Sequence, residues 1–153
     1  MLAINSWRKL QQLSRSELTL LVRALLLLPL MAVFVKLLGF RKVYSAIAPS
    51  QNKKYNSKQD KEKAYAIARM VRVASHHGIY QPNCLQKSLV LWWLLQDKGI
   101  KSNLRIGVRK QEGGLEAHAW VEHQGDVLND RSDVSQHFAP FASAIEPAGV
   151  KTP

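Results

Sequence analysis

The spacing of apolar positions changes character along the chain, and each change marks an element. Residues 18–38 are apolar almost throughout, interrupted by Arg23, Pro29 and Lys36, and the longest uncharged stretch is the twelve residues 24–35. A membrane-spanning helix needs roughly 20 apolar residues. The run therefore predicts a hairpin of helices, broken near Pro29 or Gly39, that either caps the rest of the chain or lies on a membrane surface. Residues 49–58 are polar, basic and rich in turn formers, which predicts a loop. Over 60–76, Ala64, Ile67, Ala68, Val71 and Ala74 share one helix face, with Gly78 as the stop. Asn83 reads as the N-cap of the next helix and Gly99 as its end. Leu85 and residues 89–95 make that helix apolar nearly all round, so it is expected at the centre of the domain.

From Ser102 the period becomes two. Leu104, Ile106 and Val108 alternate with polar residues up to a turn at Glu112-Gly113-Gly114. In the following strand Ala117, Ala119 and Val121 face one way and His118, Trp120 and Glu122 the other. His123-Gln124-Gly125 predicts a second tight turn before a strand over 127–130. The expected fold class is α+β, a buried helix ahead of an antiparallel meander. The expected division is a helical region 1–48, a loop 49–59, a core 60–135 and an irregular tail 136–153, within a single domain.

Composition narrows the class. A chain of 153 residues that is 46% hydrophobic can bury a core, which excludes disorder as the main reading. Twenty-two Lys and Arg against eleven Asp and Glu give +11. Most of that excess lies in residues 1–63, with twelve basic and three acidic residues. An acidic partner, whether peptide, membrane surface or nucleic acid, follows. Ala46-Ile47-Ala48 has the look of a signal-cleavage site. Lys36, Arg41 and Lys42 stand between it and the apolar run, however, and Pro49 would follow the cut, so secretion is not expected. The single cysteine, Cys84, excludes an intrachain disulfide and fits a reducing, cytoplasmic setting. It forms no spaced ligand set with His76, His77, His123 or His137, and no metal or other cofactor is expected.

Candidate chemistry converges on three residues. Cys84 falls in the first turn of the buried helix, where unpaired backbone N–H groups and the helix dipole favour a thiolate. The Cys84 amide is one candidate donor to an acyl-transfer oxyanion, and the carboxamides of Gln81 and Asn83 are candidates for a second. A three-residue loop carrying Gly125 would pair Glu122 with Asp126 and set His118 opposite Asp130 on one face. A two-residue turn would place them on opposite faces, so this expectation hangs on the loop. Nucleophile, base and orienter are what thiol acyl transfer needs. The plainer readings are a buried apolar cysteine and a surface His–Asp pair.

Several segments together resemble the lasso-peptide biosynthesis B2 proteins, within the transglutaminase-like cysteine-protease superfamily. They are Arg23-Ala24-Leu25-Leu26-Leu27-Leu28-Pro29-Leu30 with Leu37-Leu38-Gly39-Phe40-Arg41, then Cys84-Leu85 with Ser88-Leu89, residues 99–108, and Ala117-His118-Ala119-Trp120-Val121-Glu122 with Gly125 and Leu128-Asn129-Asp130. The resemblance implies a leader peptidase with Cys84 as nucleophile, His118 as general base and acid, and Asp130 as orienter. It implies a precursor peptide of leader and core as substrate, and a separate asparagine-synthetase-like macrolactam synthetase as partner. Some members carry a fused leader-binding domain for which 153 residues leave no room, so a separate leader-recognition protein is expected. The rival readings are a basic nucleic-acid- or membrane-binding module without catalysis, and a transglutaminase-like amidase or acyltransferase using the same triad. The charge favours the first rival, but no groove-reading motif appears, which leaves nucleic acid an unlikely partner.

Overall fold

The computed structural model describes residues 13–48 and 60–140. The expected loop 49–59, the first twelve residues and the tail beyond 140 lie outside the described residues. In chain order the elements are α1 (Arg15–Leu38), α2 (Phe40–Ile47), α3 (Asp60–His77), α4 (Cys84–Asp97), β1 (Asn103–Gln111), β2 (Gly114–His123), β3 (Asp126–Val127), α5 (Val134–His137) and β4 (Ala139–Pro140). The class is α+β.

α1 begins in a capping box: Ser14 Oγ accepts from the Glu17 amide, and the Glu17 carboxylate accepts from the Ser14 amide. It then runs through Pro29 without ending. Of the two break points expected, Gly39 is the one used; its φ of 80° is open to glycine at little cost. An interior proline costs about 3 kcal/mol. Leu21, Ala24, Leu28 and Met31, all buried on one side of α1, offset it, since each large apolar side chain contributes about 1.5–3 kcal/mol. The helix is long and apolar enough by length and composition to cross a membrane, with only 22% of its most apolar window buried. α2 folds back beside it. Tyr44 stacks on Trp92 of α4 with ring centroids 4.9 Å apart, and burial pushes its phenol above the ordinary value.

α4 is the central element. Leu89, Val90, Leu91, Leu94 and Leu95 are fully buried, in one cluster with the inward residues of α1, Val43 of α2, the apolar face of α3, and Leu104 and Val121 of the sheet. Asn83 is its N-cap: Oδ1 accepts from the Gln86 amide at 2.9 Å, and the Gln86 side-chain oxygen accepts from the Asn83 amide and from the Tyr80 hydroxyl. At the far end Gly99 takes φ 69°, as expected of a helix stop.

The antiparallel sheet has the order β3-β2-β1-β4. Alternation sends Val121 toward the helices and Trp120 the other way, where Trp120, Val134 and Phe138 form a second small cluster. Three sequence expectations are corrected here. The tail is not irregular from 136: α5 extends to His137, and Ala139 and Pro140 pair with Val108 and Gly107 as a fourth strand. The reason is the apolar face around Trp120, which Phe138 covers. The β2–β3 connection is a two-residue turn, Gln124 and Gly125 at φ 51° and 88°, pairing Glu122 with Val127 rather than Asp126. β3 ends at Val127, so the strand expected over 127–130 stops at its first residue.

Candidate active site

That turn removes the ladder pairing proposed between His118 and Asp130, yet the two side chains meet. After β3 one further ladder bond, from the Leu128 amide to the Val121 carbonyl at 2.9 Å, holds the chain. The Val121 amide then donates to Oδ1 of Asn129 at 2.8 Å instead of to a strand carbonyl. The main chain bends away through residues 128–130, and Asp130 comes to His118, its Oδ2 hydrogen-bonded to His118 Nε2. The other carboxylate oxygen accepts from the Arg131 amide at 2.7 Å, which fixes the acid by its own backbone. With Nε2 engaged, Nδ1 is the imidazole nitrogen left to exchange a proton.

His118 is framed from the outer face of the sheet. Phe138 lies 4.9 Å from it between ring centroids and Trp120 stacks at 6.3 Å. Arg109 sits over the Phe138 ring at 4.7 Å from its centroid and bonds Glu116 at 2.5 Å. Phe138 reaches this position because residue 107 beside it is a glycine; a Cβ there would be 2.8 Å from Phe138 Cβ and 2.9 Å from the Trp120 ring. About a fifth of the His118 side chain remains exposed. Sequence reasoning placed Trp120 on the face of His118 but missed Phe138, which alternation could not reach in a segment with no period.

Cys84 occupies the first turn of α4 and is partly exposed, not a core residue. Among the described residues no hydrogen bond joins it to His118 or Asp130. The link between the Cys84 helix and the His118 strand is Ser88, one turn after Cys84 on the same helix face. The fully buried Ser88 hydroxyl donates to the carbonyl of Ala119, next to His118, at 2.9 Å, and accepts from Asn129 Nδ2 at 2.8 Å. One serine thus ties together the helix of the cysteine, the strand of the histidine and the turn of the aspartate. A further bond, Trp92 Nε1 to the Ser102 carbonyl at 3.1 Å, anchors the other end of α4 near the start of β1.

The first-turn amides of α4 divide in two. Gln86 N–H is taken by the Asn83 side chain and Lys87 N–H by the Asn83 carbonyl, which leaves the Cys84 and Leu85 amides without an intrahelical acceptor. Of the carboxamides considered as a second oxyanion donor, Asn83 has its oxygen committed to the cap, leaving its NH2 group, and Gln81 is exposed. The structure brings together His118 and Asp130, and places Cys84, Gln81 and Asn83 at the start of α4.

Residues 24–143 match the transglutaminase-like superfamily. The microcin J25-processing protein McjB of Escherichia coli is 31% identical over 94 residues, a match covering 60% of this chain and 44% of that protein. The chain thus spans less than half the length of that curated relative. No solved structure gives a significant match. A match running from α1 through β4, over a helix-borne cysteine and a strand-borne histidine, means that the chain belongs to the transglutaminase-like superfamily.

Proposed function

We propose that this protein is a cysteine peptidase that removes the leader from a ribosomally made precursor peptide during lasso-peptide maturation. The observation that carries the reading is the bond from Asp130 to His118 Nε2, one residue from the Ala119 carbonyl that Ser88 of the Cys84 helix holds. Similarity to the microcin J25-processing protein supports a role in lasso-peptide processing.

The chemistry runs in two steps. His118 Nδ1 takes the thiol proton and the Cys84 sulfur attacks the scissile carbonyl, whose oxyanion meets the Cys84 amide and a second donor among Leu85 N–H, Asn83 and Gln81. The C–N bond breaks, His118 protonates the departing amine, and the leader stays as a thioester on Cys84. Water, deprotonated by His118, then frees the leader acid and the thiol. Asp130 keeps the ring in one tautomer and offsets the imidazolium charge. The thiol–imidazole contact closes when substrate is bound, as catalytic hydrogen bonds in free enzymes commonly do. The freed core amine is what an asparagine-synthetase-like partner needs for macrolactam closure. A separate leader-recognition protein delivers the precursor in the cytoplasm.

The test is cleavage of a precursor peptide by the full chain with its leader-recognition partner, followed by mass spectrometry. Cys84→Ala and His118→Ala are expected to leave the precursor intact, and Asp130→Asn to slow cleavage by roughly 10²-fold or more. Cleavage by Cys84→Ala at the wild-type rate overturns the reading. Leader recovered as an amide or ester rather than the acid moves the protein to acyl transfer on another acceptor.

A further inference from the structure

Helix α1 has two apolar faces, and the fold uses one. At 100° per residue, Leu21, Ala24, Leu28 and Met31 fall together and are buried. Leu18, Val22, Leu26, Leu30, Val33 and Leu37 fall on the opposite side along the whole helix and are exposed, Leu26 at 66% and Leu37 at 74%. Scattered exposed leucines are ordinary; a continuous stripe of six marks a surface with an occupant.

The charges say which occupant. The one acid of α1, Glu17, lies on the inward side and pairs with Arg69, and Arg23 pairs with Asp97 at 2.9 Å. Arg15 and Lys36 stand at the two ends of the outward stripe, about 30 Å apart. With Arg41 and Lys42 on α2 they are exposed and make no ion pair among the described residues. A second copy seated on this face by two-fold symmetry would set Arg15 against Lys36 of its mate, cation on cation. The stripe is leucine and valine with no aromatic anchor, unlike the Trp-, Tyr- and Arg-centred patches at which proteins meet. An aliphatic stripe flanked only by cations matches a bilayer with acidic headgroups, where the long basic side chains reach the phosphates.

We infer that the outward face of α1 lies on the surface of an anionic lipid bilayer, with its inward face still in the protein core. This rests on α1 and α2 alone and stands or falls apart from the peptidase reading.

Flotation of the full chain with phosphatidylcholine vesicles, and with vesicles containing a quarter phosphatidylglycerol, tests it. The chain is expected to float with the anionic vesicles, and roughly tenfold or more weakly with neutral ones or at high salt. Leu26→Glu with Leu37→Glu, both outside the core, is expected to keep the circular dichroism spectrum and lose flotation. Lys36→Glu with Lys42→Glu is expected to weaken it about tenfold or more. No flotation of the wild-type chain overturns the inference, as does unchanged flotation of the folded leucine variant. A wild-type dimer that the leucine variant converts to monomer, with neither floating, also overturns it and assigns the stripe to a second copy.

Discussion

Asn129 replaces a strand partner for Val121: its side-chain oxygen, not a ladder carbonyl, accepts the Val121 amide, while its NH2 group donates to the buried Ser88 hydroxyl. This lets the chain leave the sheet two residues after β3 and still hold a fixed direction, which decides where Asp130 goes. Asn129→Ala leaves the Val121 amide and Ser88 short of partners, at a cost of about 1–3 kcal/mol. It should also slow alkylation of Cys84 and precursor cleavage. Asn129→Asp keeps the acceptor but turns a carboxylate oxygen toward the Ser88 lone pair, and should fall between alanine and wild type in urea unfolding.

Gly107 is small because Phe138 and Trp120 need its space. Gly107→Ala should destabilise the fold by about 1–3 kcal/mol by overpacking. In a Phe138→Gly background, which lacks the Cβ that a Cβ at 107 would meet first, the cost of Gly107→Ala should be smaller. A double-mutant cycle by urea unfolding that shows simple additivity would contradict the packing described.

The hairpin tip is tied to the start of α3 by an ion pair, Lys61 Nζ to Asp126 Oδ2 at 2.7 Å. The hydrogen bond from Lys61, then its charge, hold the Asp126 carboxyl below the ordinary value. A carboxyl depressed in the folded state stabilises fully above its unfolded value of about 3.9, and that contribution is lost as pH falls through the folded value. The stability difference between wild type and Asp126→Asn should be constant above about pH 5 and shrink below about pH 4. It should also diminish with salt, because the pair is exposed.

Gln124 sits at φ 51° in a turn whose next residue, Gly125, is also at positive φ. Both central residues of a type I′ turn need that region, and asparagine enters it more readily than glutamine. Gln124→Asn should raise stability by about 0.5–1 kcal/mol in thermal or urea unfolding. Gly125→Ala should lower it, since a Cβ at φ 88° is strained.

Much of the frame was legible from local signals. The spacing of Ala64, Ile67, Ala68, Val71 and Ala74 places α3, the Asn83 cap and the all-round apolar run place α4, and alternation places β1 and β2, because each signal depends on neighbours within a few residues. The hairpin turn was less so. His123-Gln124-Gly125 admits a two- or a three-residue loop, and the choice depends on the twist of the paired strands rather than on the turn residues alone.

What the sequence determined by itself is therefore the type of each long element and the faces of its strands, with Cys84, His118 and Asp130 as its candidates for thiol chemistry. What only the tertiary structure decided is how two of them meet. The His118–Asp130 contact comes from a bend held by Asn129, Ser88 and Val121, and its outer wall from Phe138, twenty residues along the chain and brought over Gly107 by β4. The physical reason is range. Periodicity and capping are set by residues one to four apart, whereas these bonds join residues 8 to 41 apart, and nothing short of the packed core selects which of them form.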